Sequence, residues 1–206
     1  MVLKLQACKY LCDTSLEPLY KGDALPSLSE LDLSYGTLPQ SAIEELLAGC
    51  MQLTHVSLNG CVNMHDLNWG FRRGRLSETR TFYEPMDQRN RLLQNLNCVG
   101  CPNIKKVVIP PTARFDISCC NLFFLNLSNC NSLEILKLDC PRLTSLFLQS
   151  CTIDEVAVES AIMHCNMLET LDVRFCPKDI SIKYGHITRR VPKFETHLQQ
   201  PRSGMI

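Results

Sequence analysis

The sequence lacks the features of a charged-ligand binder, a membrane protein or a secreted protein. Its 206 residues hold 21 Lys and Arg against 21 Asp and Glu, so no net charge draws it toward nucleic acid or an anionic membrane surface. It has no run of about 20 apolar residues such as a membrane span requires. Residues 1–8 lack the basic start, apolar centre and cleavage site of a signal peptide. We therefore expect a cytoplasmic or nuclear location, or both, with no membrane partner and no nucleic-acid partner.

Catalytic motifs are missing as well. The histidines form neither H-E-x-x-H nor H-x-x-x-H, and the chain has no phosphate-binding glycine loop and no G-x-S-x-G elbow. These absences favour a protein that is not an enzyme, and we expect no catalytic residue, no cofactor and no metal.

What the sequence does contain is a repeated phrase, L-x-x-L-x-L-x-x-C. One copy, residues 53–61, reads LTHVSLNGC, and a shortened copy occupies residues 3–8. In four intervals the third apolar positions of successive copies lie 21 to 28 residues apart, in or near the period of leucine-rich repeats. Five further copies begin at Leu28, Leu93, Leu122, Leu143 and Leu168.

Each phrase predicts one short strand. Side chains alternate along a strand, so Leu31 and Leu33 are expected to point inward while Glu30 and Asp32 point outward. One such unit cannot bury its apolar side alone, so neighbouring units must stack. The sequence therefore predicts an α/β leucine-rich-repeat solenoid with one short parallel strand per repeat.

The segments that return from one strand to the next are predicted to be of two kinds. Residues 39–50 and 152–166 have helical apolar spacing, and Ser41 is the expected N-cap of the first helix. Residues 104–109 and 133–140 show alternating apolar residues, and the second of these segments lies too close to its neighbouring phrases for a helix. We therefore expect mixed helical and extended returns.

The predicted domain organisation is a repeat domain over residues 1–182 with a tail. Residues 70–92 interrupt the repeats with six arginines and no apolar period, which indicates a surface insertion. Its arginines are expected to lie in a solvated loop, with contacts to nucleic acid or an acidic partner as the alternative. Residues 183–206 form a modestly basic C-terminal tail that we expect to be flexible.

The 13 cysteines allow two interpretations. In a reducing compartment they are expected to be small buried side chains, because several share one slot after the strand. The alternative is a zinc or redox site at Cys98-Val-Gly-Cys101, whose nearest partners, Cys119 and Cys120, are adjacent rather than spaced as a second C-x-x-C. The cysteines in the repeated slot are Cys8, Cys61, Cys101, Cys130, Cys151 and Cys176.

Two stretches share a longer pattern that includes this slot. They are Cys50-x-x-Leu53-x-x-Val56-x-Leu58-x-x-Cys61 and Cys165-x-x-Leu168-x-x-Leu171-x-Val173-x-x-Cys176. The pattern resembles the cysteine-containing leucine-rich repeat of F-box proteins. The chain also contains shorter repeats of 21 residues, and the combination of the two repeat lengths resembles the plant F-box/LRR-repeat proteins in particular. The resemblance covers roughly residues 1–182. It implies the substrate-recognition module of an SCF-type ubiquitin ligase, in which a separate F-box binds a Skp-type adaptor.

The F-box itself has no counterpart in this sequence. A strand phrase already begins at Leu3, and no later segment is similar to an F-box. We therefore expect a fragment or shortened product that binds a protein substrate of unknown identity and reaches a Skp-type adaptor only through the missing F-box. The alternative is a leucine-rich-repeat scaffold or interaction protein unrelated to ubiquitination.

The predicted protein-binding site is the set of outward strand residues, which line the concave surface that solenoids use for binding. Phe124 and Phe147 form the predicted apolar anchor, with coverage by the insertion or a flanking segment as the alternative. His55 is a possible binding residue or a solvated surface histidine. The site residues are Glu30, Asp32, His55, Asn59, Asn95, Asn97, Phe124, Asn126, Phe147, Gln149, Asp172 and Arg174.

Overall fold

A computed structural model describes residues 1–12, 14–16, 25–50, 52–68, 71–73, 83–85, 92–109, 121–177, 180 and 186–188. Two helices with defined limits are α1 (Gln40–Gly49) and α2 (Glu155–Ile162), and residues 14–16 are also helical. The strands are β1 (Val2–Lys4), β2 (Glu30–Asp32), β3 (His55–Ser57), β4 (Asp66–Asn68), β5 (Phe71–Arg73), β6 (Tyr83–Pro85), β7 (Asn95–Asn97), β8 (Lys106–Ile109), β9 (Phe124–Asn126), β10 (Ile135–Leu138), β11 (Ser145–Phe147), β12 (Thr170–Asp172) and β13 (His186–Thr188).

One short strand from each of the seven repeats, together with β13 from the tail, builds an eight-stranded sheet in the order β1-β2-β3-β7-β9-β11-β12-β13. The first seven strands are parallel, and β13 joins the edge antiparallel to β12. The second apolar residue of each phrase stands in register with that of its neighbours, and these residues are Leu3, Leu31, Val56, Leu96, Leu125, Leu146 and Leu171. The prediction of an α/β leucine-rich-repeat solenoid is confirmed.

The backbone hydrogen bonds between repeats continue beyond the strands. The amide of the third apolar residue donates to a carbonyl of the following repeat at 2.7–2.9 Å. These amides, which we call the ladder amides, belong to Leu5, Leu33, Leu58, Cys98, Leu127 and Leu148. Each repeat is thereby fixed to the next along both the strand and the turn that follows it.

The residue before the cysteine slot adopts a left-handed backbone conformation in every repeat, with φ between 55° and 68°. These residues are Ala7, Tyr35, Gly60, Gly100, Asn129, Ser150 and Phe175. Five of them are not glycine, and this conformation costs such residues about 1–2 kcal/mol each. In the first six copies the amide of this residue donates to a carbonyl of the next repeat at 2.6–2.9 Å, which helps to offset the cost.

The slot cysteines form a second ladder, the thiol ladder. Each thiol donates to the carbonyl of the third apolar residue in the preceding repeat, at 2.9–3.3 Å. The pairs are Cys61 to Leu33, Cys101 to Leu58, Cys130 to Cys98, Cys151 to Leu127 and Cys176 to Leu148. The predicted packing role of these five thiols is confirmed, while Cys8 in the first copy is only half-buried.

A second, three-stranded parallel sheet, β10-β8-β4, is built from the return segments. Its inward residues belong to the same continuous core as the leucines of the main sheet, so the core lies between the two sheets. The extended returns predicted over residues 104–109 and 133–140 are confirmed as β8 and β10. Strand β4 was not predicted.

Both predicted helices are present, with different limits. The prediction that Ser41 caps α1 is wrong: Pro39 is the N-cap residue, and its carbonyl accepts the amides of Ala42 and Ile43 at 3.1 and 3.3 Å. In α2 the cap is Asp154, whose carboxylate accepts the Ala157 amide at 2.7 Å. Neither helix, within the described part of the chain, is long and apolar enough to cross a bilayer.

The insertion and the tail are described only in part. Within the insertion, β5 and β6 pair antiparallel, and the remainder of residues 74–91 lies outside the described residues. In the tail, β13 pairs with β12, and residues 189–206 lie outside the described residues. A surface position for the insertion and flexibility for the tail stay predictions.

Replacing Cys130 by Ala tests the thiol ladder. The change removes the donor to the buried Cys98 carbonyl, so we expect the free energy of unfolding in a urea titration to fall by about 1–3 kcal/mol. The matched control is Cys12→Ala, because Cys12 is exposed, and it should change stability by less than about 0.5 kcal/mol. Equal losses for the two variants would contradict a structural role for the ladder.

Two glycine variants separate backbone strain from crowding in the turns. A Cβ on Gly100 meets nothing within 4 Å, so Gly100→Ala should cost only the left-handed strain, about 1–2 kcal/mol. A Cβ on Gly60 lies 2.5 Å from Cδ1 of Tyr35, so Gly60→Ala should cost more. In urea titrations the excess should disappear in a Tyr35→Ala background, and an excess that persists there would contradict the crowding explanation.

Candidate functional site

The predicted site residues lie at strand positions that alternate with the buried leucines, or, for Asn59, Gln149 and Arg174, in the turns that follow, on the surface of the main sheet opposite the core. We call this surface the sheet face. Its side chains form three columns that run across the strands, set by the strand register. From β2 to β12 the first column is Glu30, His55, Asn95, Phe124, Ser145 and Thr170, and the second is Asp32, Ser57, Asn97, Asn126, Phe147 and Asp172. The third column follows two residues later, with Ser34, Asn59, Val99, Ser128, Gln149 and Arg174.

Several of these residues stabilise the turn after their own strand. The side-chain Oδ1 atoms of Asp32, Asn126 and Asp172 each accept the backbone amide two residues later, at 3.0–3.1 Å. The Oδ1 of Asn59 accepts the amide of Val99 in the next repeat at 2.9 Å. These acceptor atoms are therefore already used in holding the turns, as Asx residues commonly are.

Asp172 and Arg174 form an ion pair at the β12 end of the sheet face. The Asp172 side chain is buried, and Arg174 donates to it from both Nε and Nη2, the latter at 2.7 Å from Oδ2. Hydrogen bonding to Asp172, followed by its charge, raises the pKa of Arg174 above its usual value. The pair therefore adds no net charge to this end of the face.

Asp32 is charged at the opposite end. Burial raises the pKa of its carboxyl, but hydrogen bonds from the Ser34 hydroxyl and amide, a hydrogen bond from Gln6 and the charge of Lys4 together hold that pKa below its ordinary value. Asp32 is therefore ionised at neutral pH. Glu30, its neighbour in β2, is exposed and makes no side-chain hydrogen bond or ion pair with another described residue.

His55 belongs to a hydrogen-bond network in the first column. The Thr54 hydroxyl donates to the Ser29 carbonyl at 3.0 Å, which leaves its oxygen free to accept from Nδ1 of His55 at 2.9 Å. The side-chain amide nitrogen of Asn95 lies 2.7 Å from Nε2 of His55. An amide nitrogen can only donate, so Nε2 is the acceptor in this hydrogen bond. The network fits the neutral imidazole with its proton on Nδ1.

Phe124 and Phe147 meet across the adjacent strands β9 and β11. Their ring centroids lie 5.2 Å apart with an interplanar angle of 40°. The register sets Phe124 opposite Ser145 and Phe147 opposite Asn126, so the two rings meet on a diagonal. Both side chains are half-buried. Their exposure is intermediate between the two predictions, an exposed apolar anchor and a pair covered by another segment. The two rings form an apolar pair in the interior of a face whose other described residues from β2 to β12 are polar apart from Val99.

The cysteines at the C-x-x-C sequence have the environment of core thiols. Cys98 is fully buried, and burial holds its pKa well above the ordinary value. Burial raises the pKa of Cys101, whose thiol donates to the Leu58 carbonyl, to about 12. The Cys101 thiol is thus engaged with the backbone of the preceding repeat, and Cys98 lies in the core among the leucines. Cys119 and Cys120 lie outside the described residues, and across the described ranges no three His, Cys, Asp or Glu side chains group as metal ligands.

Sequence reasoning missed one thiol of a different kind. Cys12 is exposed, and its sulfur lies 3.1 Å from the Ser15 hydroxyl and 3.0 Å from the Thr14 hydroxyl. Hydrogen bonds from Ser15 and then Thr14 lower the pKa of Cys12 to about 7. Hydroxyl residues two and three positions after a cysteine are the signal that could have revealed it.

Alkylation by iodoacetamide, followed by mass spectrometry of each cysteine peptide, tests this assignment. Only the thiolate reacts, so the rate at Cys12 should rise with pH to a midpoint near pH 7 and then level off. Burial raises the pKa of Cys130 to about 12, so it should react only after unfolding. In Ser15→Ala the Cys12 midpoint should move to higher pH; an unchanged midpoint would contradict the role of the hydroxyl.

Comparisons with known proteins add little to this description. No family model matches the chain. Among solved structures, the chain is similar to an internalin from Listeria monocytogenes, with 16% identity and a TM-score of 0.37 over 85% of this chain. It spans 55% of that internalin's length. We draw nothing about partners or activity from this likeness, because fold does not imply function. The repeat architecture is established by the strand register itself.

Proposed function

We propose that this chain is a protein-interaction scaffold whose binding site is the sheet face. The observation that carries the proposal is the contact between Phe124 and Phe147, with ring centroids 5.2 Å apart and both rings half-buried. Aromatic side chains surrounded by polar ones are the usual centre of a protein interface.

The arrangement around the rings suits recognition rather than chemistry. The sheet holds the face rigid, because each strand of the main sheet is hydrogen-bonded to every strand adjacent to it. The side chains around the rings are mainly hydroxyls and carboxamides, which bind partners through hydrogen bonds. We therefore assign a binding role and no catalytic one.

A finer version of the proposal makes this protein the substrate-recognition module of an SCF-type ubiquitin ligase of the F-box/LRR class. It is supported by the cysteine pattern of residues 50–61 and 165–176, which resembles the repeats of that class. In this version the partner on the sheet face is a ubiquitination substrate, while the Skp-type adaptor binds an F-box. A scaffold without any link to ubiquitin is the alternative.

The first experiment is a quantitative pull-down with the tagged chain from an extract of the source organism. Phe124→Ala combined with Phe147→Ala should no longer capture these proteins, because the apolar anchor is gone. A cooperative thermal unfolding transition of the variant confirms that it is folded. The matched control is Phe175→Ala, which removes an exposed phenylalanine in the turn beyond β12. An identical set of captured proteins for the double variant and the wild type would contradict the proposal.

The transcript that encodes this chain separates the two versions. An F-box encoded upstream in the same reading frame, with co-precipitation of the Skp-type adaptor by the product of that transcript, supports the ligase version. A transcript without an F-box would leave only the scaffold.

A further inference from the structure

We propose that the sheet face binds an extended segment of a protein partner that has a basic residue at one end, an uncharged middle and an apolar side chain about four residues from the basic one. In this arrangement Glu30 binds the basic residue, and the Phe124–Phe147 pair contacts the apolar one. The inference rests on the proposed function and specifies the chemistry of the partner.

The middle of the sheet face carries no charge. On β3, β7, β9 and β11 and in the turns after them, the outward residues are His55, Ser57, Asn59, Asn95, Asn97, Val99, Phe124, Asn126, Ser128, Ser145, Phe147 and Gln149. His55 fits the neutral form through its bonds with Thr54 and Asn95. A charged side chain docked here would lose water without gaining a partner, which is costly.

Among the described residues of the sheet face, the charged side chains lie at the two ends of this uncharged middle. At the β12 end Asp172 is already neutralised by Arg174. At the β2 end Lys4 lies in register with Asp32 and offsets its charge. The Met1 ammonium donates to the Ser27 carbonyl and the Ser29 hydroxyl, and among the described residues Glu30 forms no ion pair with it or with Val2 and His55 of its own column. One negative charge therefore remains available, and its complement is a lysine or arginine of the partner.

The spacing of the partner residues follows from the sheet. Glu30 and Phe124 share the first column and are separated by three strand-to-strand steps, through β3 and β7. At about 4.8 Å per step this is about 14 Å, which an extended chain covers in about four residues at about 3.3 Å each. Asn95 lies on the line between them, and its carboxamide can bond the segment's backbone.

The length of this path favours a segment over a larger surface. A segment of about six residues spans from Glu30 to the phenylalanine pair and its nearest neighbours. It would use backbone hydrogen bonds to the carboxamides for affinity, with two side chains for selectivity.

A random 12-residue peptide library displayed on phage and selected on the full chain is the test. Enriched peptides should share a lysine or arginine and an aromatic or aliphatic residue about four positions apart, with no charge between them. Synthetic versions of these peptides are then measured by fluorescence anisotropy. Glu30→Gln should weaken binding about two- to fivefold at low salt, and less at high salt. Phe124→Ala with Phe147→Ala should weaken it by about 30-fold.

Glu134→Gln is the matched control, because Glu134 is exposed beside β10 in the second sheet, away from the sheet face. It should leave the affinity unchanged. Enriched peptides that depend on the phenylalanines but lack the basic residue, or that are indifferent to Glu30→Gln, would overturn this inference and leave the proposed function standing. If no peptide is enriched but the pull-downs still depend on the phenylalanines, this inference is also overturned and the proposed function stands. Peptides that bind equally well to the double phenylalanine variant would overturn both.

A second copy of this chain is the competing occupant of the face. Light scattering of the wild type and the double phenylalanine variant decides this point. A monomer in both supports the inference, whereas a dimer that the double variant dissociates would overturn it.

Discussion

The hydrogen bonds between the backbone of one repeat and that of the next are the interaction on which the rest of the structure depends. They run through the strands and through the ladder amides in the turns, so seven successive copies are held in one register. Because the register is fixed, the second apolar residues form one row that is buried except at the partly buried Leu3, and the outward residues form straight columns on the sheet face. The left-handed turn residue and the slot cysteine occupy equivalent positions for the same reason. A single shifted repeat would break the core, the thiol ladder and the proposed binding face together.

The thiols illustrate how this constraint converts a reactive residue into a structural one. Each ladder cysteine meets a carbonyl at 2.9–3.3 Å, and burial raises the pKa values of Cys101, Cys130 and Cys151 to about 12. Such thiols stay protonated and act as small donors inside the core. Cys12, which lies outside the ladder, has hydroxyl neighbours and a pKa of about 7. The difference in environment, and not the residue type, decides the chemistry.

The main sheet could be predicted from the sequence because the phrase L-x-x-L-x-L repeats with its outward and inward residues in fixed order. Strand β4 could not, since Leu67 is the single apolar residue in Asp66–Asn68, and the strand exists because β8 pairs with it and the Gln40 side chain accepts two amides at its start. The site was predictable as a set of outward residues. Their roles were not, because the bonds from Ser34 to Asp32 and from Arg174 to Asp172 depend on the turn conformation after each strand. The bond from Val99 to Asn59 depends on the register between two repeats. The contact between Phe124 and Phe147 likewise depends on a diagonal between two repeats.

Hydrogen exchange of the ladder amides, followed residue by residue with NMR, tests the claim of a continuous backbone register most directly. Leu58, Cys98, Leu127 and Leu148 lie beyond the last residues of their strands, yet each donates to the next repeat at 2.7–2.8 Å. Protection of these four amides should equal that of the strand amides at Val56, Leu96, Leu125 and Leu146, because both sets open only when repeats separate. Exchange of the four at the rate of exposed turn amides, while the strand amides stay protected, would contradict the account.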